Sequence, residues 1–377
     1  KGAYQSSLDH LSRLPVNIQE GAQALSISCA DYAGLGRGER ANEMASRLIA
    51  HPDFSEPDVS AILPALTGSR RDDLSVELLE GLRKRRPLTP ALTRRLGLAY
   101  ELTGKLAEAR ATLERSASGD QPSVALLVDL ARVAHKQRDY QGALGYLAHA
   151  RDLGPNDAGI HYFFGLVCLD LNLVAEARAA FDSAVKIEPE NPAYNYALGA
   201  ASTFRHDPAE AIPYFEKYVR LKPQDARGKL ALGAAMVRAR QYDAATRVLT
   251  EAAKGAETAT TAHYYLGCVA RQNDRLDDAI RELRQALKSN PDYADALAEL
   301  GQCYLMKREY EQAGKLLRRA LEIAPDHYAA NFNLLTLYAR AKDEREAAQS
   351  ARFEEVKKLR EEKAQEFLRM IEIRPYS

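Results

Sequence analysis

Residues 294–327 read ADALAELGQCYLMKREYEQAGKLLRRALEIAPDH, and this stretch decides the fold. Leu300, Gly301 and Tyr304 fall at helical spacing on a first predicted helix. After a short turn, Tyr310, Ala313, Leu317 and Ala320 do the same on a second. Pro325 ends the unit, because proline can neither continue a helix nor leave its predecessor free to do so. Moving outward in steps of 34 residues, the same residue types return. One column holds Ala109, Ala143, Ala177, Ala211, Ala245, Ala279, Ala313 and Ala347. Thirteen positions earlier stand Leu96, Leu130, Phe164, Leu198, Leu232, Leu266, Leu300 and Leu334. The residue after each is small, from Gly97 to Gly301, and fails only at Leu335. A further column runs Leu113, Leu147, Phe181, Phe215, Leu249, Leu283, Leu317 and then Ala351. Small residues let two helices approach closely while the Leu and Phe columns fill the space between them.

The repeat extends over most of the 377 residues. Fifty-two Lys+Arg balance 52 Asp+Glu, so the charge surplus that nucleic acid or an anionic membrane requires is missing. With 46% hydrophobic and 28% charged residues the chain has the composition of a folded protein. The longest apolar runs, such as Tyr162 to Leu169, are too short to cross a membrane. Nothing at the N-terminus marks a signal peptide, and the compartment is left open. Four scattered cysteines do not make a disulfide scaffold.

These columns closely resemble the tetratricopeptide repeat family, whose 34-residue helix-turn-helix unit carries a large apolar residue, Gly, an aromatic, Ala, an apolar residue, Ala and Pro. The resemblance implies an all-α fold, the right-handed α–α superhelix of a tetratricopeptide solenoid. Eight repeats are expected over 90–361, preceded by two degenerate ones over 22–89, where Ala41 and Ser75 stand in the Ala column. Residues 1–21 read as the second helix of a still earlier unit. The last second helix is expected to run on to about Ile371, so that 362–377 extend it, with Glu354 and Lys358 paired one turn apart. That helix reads as a cap over the final hairpin, and leaves room for homo-oligomer contact. One local conflict is Pro213, which falls inside the helix that the Asp207-Pro208-Ala209-Glu210 start implies and should bend it.

In this family the first helix of each pair lines the inner face. The residues expected there include Arg132, Tyr162, Leu166, Tyr196, Leu230, Tyr264, Arg271 and Phe332. They form a sparse aromatic ladder on a mostly apolar wall, suited either to a partner's peptide or helical segment or to packing alone. The clamp by which some family members hold a C-terminal carboxylate is absent, since its asparagine column reads Leu98, Arg132, Leu166, Ala200, Ala234, Cys268, Gln302 and Thr336. The function implied is a non-catalytic protein-interaction scaffold; the other reading is the recognition arm of a larger enzyme or of an envelope export or assembly complex.

No catalytic, cofactor-binding or metal-ligating motif is expected. Gly34-Leu35-Gly36-Arg37-Gly38 follows no strand and reads as a turn rather than a phosphate loop. His161 and His263 occupy the column where the family often has Trp, and so read as packing residues. Among the cysteines only Cys268 is expected to face the groove; a bridge to Cys303 is compatible with their spacing. The basic run Arg83 to Arg86, with Arg70, Arg71, Arg94 and Arg95 nearby, reads as solvated helix ends rather than a nucleic-acid patch.

Overall fold

A computed structural model describes residues 2–117, 122–203 and 208–372, with side chains described over 2–117, 122–203 and 209–362. Every regular element among them is helical. The chain divides into two compact units, Lys1–Leu171 and Asn172–Ser377.

The first unit holds α1 (Gly2–Leu11), α2 (Val16–Gln19), α3 (Ala22–Gly34), α4 (Gly38–Ala50), α5 (Glu56–Gly68) and α6 (Asp72–Arg85). It continues with α7 (Pro90–Leu102), α8 (Leu106–Ala117), α9 (Val124–Lys136), α10 (Tyr140–Leu153) and α11 (Ala158–Asp170). The second unit holds α12 (Val174–Ile187), α13 (Pro192–Ser202), a 3₁₀ turn (Pro208–Ala211), α14 (Ile212–Leu221), α15 (Ala226–Arg238) and α16 (Tyr242–Ala252). Then follow α17 (Ala259–Gln272), α18 (Leu276–Ser289), α19 (Ala294–Met306), α20 (Tyr310–Ile323), α21 (Tyr328–Ala341) and α22 (Glu346–Glu372). Within each unit most helices pack on a neighbour in sequence, the pattern of a stack of helical hairpins.

Local chemistry sets the boundaries. Thr89, Asn191 and Asp225 cap their helices by accepting from the backbone N–H of Leu92, Ala193 and Arg227, and Pro90 and Pro192 open α7 and α13. At α5 the backbone N–H of Ser55 donates to Asp58 at 3.0 Å, one half of a capping box. The first helices end in a shared device that the residue types conceal. Residues in the left-handed region stand in one 34-residue register, at Gly36, Arg70, Gly104, Arg138, Asn172, Arg240, Asp274, Arg308 and Lys342, position 206 lying outside the described residues. At eight of these nine, the residue's N–H and the next one reach back to the helix in the double bond of a Schellman motif. At α9, for example, Arg138 N–H donates to the His135 carbonyl and Asp139 N–H to that of Ala134, both at 2.9 Å.

The core follows the columns. Ala109, Ala143, Ala177, Ala211, Ala245, Ala279 and Ala313 are fully buried. A Cβ placed on Gly97, Gly233, Gly267 or Gly301 would lie 2.5–2.8 Å from Leu113, Leu249, Leu283 or Leu317, so each glycine seats the large residue of its own hairpin.

Three expectations are corrected. The α-helix after residue 207 begins at Ile212, behind the 3₁₀ turn, which puts Pro213 in its first turn where no intrahelical N–H is needed; Asp207 lies outside the described residues. The last hairpin leaves the register: Ala347 and Ala351 are exposed, and Phe353 and Val356 are the buried residues among the described side chains of α22. With Leu335 in place of the small residue and Ala351 in place of the large one, the complementary pair that Gly97–Leu113, Gly233–Leu249, Gly267–Leu283 and Gly301–Leu317 form in earlier hairpins is lost. In α22, Glu354 pairs with Lys357 at 3.6 Å and Lys358 with Glu362 at 3.8 Å, in place of the expected Glu354–Lys358 pair. The helix itself runs to Glu372, close to the expected end.

Candidate functional site

Each unit presents a face built by its first helices. In the first unit it is defined by ion pairs that run from one first helix to the next. The Arg132 guanidinium on α9 holds the Glu101 carboxylate on α7 with two bonds, from Nε at 2.7 Å and Nη2 at 2.8 Å. Lys136 Nζ lies 2.9 Å from the same carboxylate. Arg94 on α7 reaches Asp129 on α9 at 2.5 Å, and Arg132 shares that carboxylate at 2.8 Å. On the far side His135 meets Asp170 on α11 at 2.7 Å. The carboxylates of Glu101 and Asp129 are almost fully buried, with 3% and 6% exposure, beneath half-exposed cations. Burial alone would raise the Glu101 pKa, yet bonding to Arg132 and Lys136 outweighs it and holds the carboxyl below the usual range. The Arg132 pKa is raised in turn, chiefly by its bond to Glu101.

Beside this network stand aliphatic side chains. Leu98 and Leu166 share the Arg132 column and are half-buried, as is Tyr162. Leu102 and Leu169 are exposed, at 58% and 37%. Expected as mostly apolar, the wall of this unit therefore carries a charged floor.

In the second unit the expected residues are engaged singly. Tyr196 on α13 packs on Phe215 (5.6 Å between centroids) and Tyr218 (5.0 Å) of α14. Leu230 on α15 is half-buried against the core of its own hairpin. Tyr264 on α17 lies 5.2 Å from Tyr265 and 5.1 Å from Tyr293. Its pKa is pushed strongly upward, first by burial and then by neighbouring Cys268 and acidic groups. Arg271 on the same helix pairs with Glu299 on α19 at 2.6 Å, both largely buried. Phe332 on α21 keeps 49% exposure and touches Phe353 of α22 at 5.5 Å. Each of Tyr196, Tyr264 and Phe332 thus packs on its own neighbours, within its own part of the unit.

The remaining candidates resolve into structure. All four cysteines are free and buried, Cys268 included, so neither the expected groove-facing thiol nor a bridge to Cys303 is present. Burial pushes the thiols of Cys29 and Cys303 up to about 12. The two histidines do more than pack: His161 bonds the Pro155 carbonyl at 2.8 Å and His263 the Glu282 carboxylate at 2.8 Å. In the basic run, Arg85 donates to the Ile49, His51 and Pro52 carbonyls at the end of α4, while Arg83 and Arg86 pair with Glu80 and Glu56 at 2.7 and 2.8 Å. Gly34 seats the Tyr4 ring and Gly36 is the left-handed turn residue, which accounts for that glycine-rich segment. Among the described residues no cluster of His, Cys, Asp or Glu is placed to hold a metal ion, and no helix is long and apolar enough to cross a membrane.

Reading residues singly missed Asp129 and Lys136, because neither falls on the columns assigned to the inner face. Their clue is the pairing of Glu101 with a cation-bearing helix 31 residues on, a relation visible only once neighbouring repeats are superposed.

Known proteins place the chain. No curated protein matches it. Among solved structures, the C-terminal part of a tetratricopeptide repeat-containing protein from Cytophaga hutchinsonii superposes with a TM-score of 0.55 at 17% identity, covering 63% of this chain and 98% of that one. YrrB, described as a tetratricopeptide repeat protein with an unusual peptide-binding site, is 26% identical with a TM-score of 0.40, covering 49% of this chain and 95% of its own. MamA is 24% identical with a TM-score of 0.40, over 45% and 92%. A tetratricopeptide repeat model matches residues 68–124, 128–194, 176–226 and 264–328, more than half of the sequence. The chain belongs to the tetratricopeptide repeat family.

Proposed function

We propose that the chain is a non-catalytic scaffold that binds a segment of a partner protein along the faces of its first helices. The observation that carries this is the exposure of large apolar side chains, Leu102, Leu169 and Phe332, on or beside those faces. The hairpins below them are closely packed, so they stand on rigid supports and bind without an ordering cost to the chain. The division into two fainter repeats over 22–89 and eight clearer ones over 90–361 belongs to the same proposal, supported by the left-handed residues spaced 34 apart from Gly36 to Lys342.

The test is affinity co-purification from the native host, with mass spectrometry of retained proteins, for the wild type and for a Leu102→Asp, Leu169→Asp, Phe332→Asp variant. Tyr196→Ala and Tyr264→Ala are poorer probes, because both rings also pack within their own unit. A partner retained by the wild type and lost by the variant, with an unchanged circular dichroism spectrum, is the expected result. Equal retention by both proteins would place binding elsewhere.

A further inference from the structure

We propose that the face of α7, α9 and α11 binds an extended peptide segment with an internal Asp or Glu side chain flanked, about three residues away on each side, by apolar side chains. This presupposes that the face is a protein-binding surface and adds what it recognises.

Charge is arranged asymmetrically in depth. Two carboxylates, Glu101 and Asp129, are buried, while three cations, Arg94, Arg132 and Lys136, keep 39%, 39% and 45% of their side-chain surface. A ligand approaching from solvent therefore meets the cations first. The third carboxylate, Asp170, is held by His135. Donors also remain to be used. A guanidinium carries five N–H bonds. Arg132 spends Nε and Nη2 on Glu101 and Asp129, and Arg94 spends Nε on Asp129; among the described residues no hydrogen bond is made by Nη1 of Arg132 or by Nη1 and Nη2 of Arg94. Planar donors of this kind match a carboxylate.

The apolar side chains fix the flanks. Arg132 is bound to Glu101, which sits beside Leu102 and one turn after Leu98; His135 is bound to Asp170, which sits beside Leu169 and one turn after Leu166. The cations of α9 thus lie between a leucine pair on α7 and another on α11. Side-chain pairs join α9 to both flanking first helices; for helices about 10 Å apart and an extended chain advancing about 3.3 Å per residue, each step from one helix to the next takes about three residues.

The experiment is selection of a random peptide library, displayed with both ends fused, on the full chain. Enriched peptides should carry Asp or Glu with apolar residues near three positions on either side. In fluorescence anisotropy, replacing that acid by Asn or Gln should weaken binding about tenfold, as expected for a charged hydrogen bond. Added NaCl should weaken it further. The penalty for Asn should shrink below about twofold on Arg132→Gln. Because that change uncovers Glu101, Arg94→Gln, which leaves Asp129 paired with Arg132, is measured alongside it and should reduce the same penalty. Enriched apolar peptides without an acid, lost on Leu102→Ser with Leu169→Ser, would overturn the acidic preference while leaving a binding face. Binding only by peptides with a free C-terminal carboxylate would overturn the internal carboxylate, and no enrichment at all would overturn both the preference and the face.

Discussion

Glu101 carries the main electrostatic stake of the first unit at residue scale. Its carboxyl is buried, accepts from Arg132 and Lys136, and has a pKa held below the usual range. A carboxyl depressed on folding lends stability that is complete above the unfolded value, about 4.3, and is lost as the pH falls through the lower folded value. Glu101→Gln should therefore lower stability at pH 7 by about 2 kcal/mol, the scale of a charged hydrogen bond left half-made. The difference should begin to shrink only below about pH 4 and should go on shrinking as the pH falls through the lower folded value. Thermal melts of both proteins from pH 7 to pH 3 check this: curves that stay parallel to the acid end would show that Glu101 titrates no differently in the folded chain. Arg132 is expected on the inner face from the sequence alone, but its commitment to Glu101 and Asp129 is not legible there. Pairing across 31 residues has no local trace in periodicity or composition.

Single elements show where pattern suffices and where it does not. The alanine column from Ala109 to Ala313 and the glycines that seat Leu113, Leu249, Leu283 and Leu317 are legible because close helix contact imposes residue size, and size is written in residue type. The start of α14 was not, because a 3₁₀ turn and a first helical turn share sequence preferences; only the backbone shows that Pro213 opens the helix. Pro64 is the opposite case. It lies inside α5, where it cannot donate to the Ser60 carbonyl four residues back. Both residues are exposed, so water can take up the unpaired carbonyl. Pro64→Ala should then stabilise the chain by about 1–3 kcal/mol, and Pro213→Ala should change it by less than about 1 kcal/mol, in urea unfolding curves. A large gain from Pro213→Ala would return that residue to a helix interior.

For the whole molecule, the period made the fold readable and left the partner unread, since packing constrains every repeat alike while recognition depends on what differs between them. Burial of Cys29, Cys168, Cys268 and Cys303 gives a global reporter with two thiols in each unit. The native chain should react with fewer than one equivalent of a thiol reagent per molecule, and all four sites should react in denaturant, as counted by intact mass. Rapid native labelling at Cys268 would contradict its burial. The left-handed residue that closes nine of the first helices has one more consequence. Seven of the nine are not glycine, so the backbone keeps count where the letters have drifted: Gly36 and Arg70 hold the phase in a region most of which the family model does not match. Substitutions at such a position are absorbed one at a time. Deleting a single residue there would cut one 34-residue spacing to 33 and put the helices on either side of the break out of step, which makes length, more than composition, the inherited quantity in this chain.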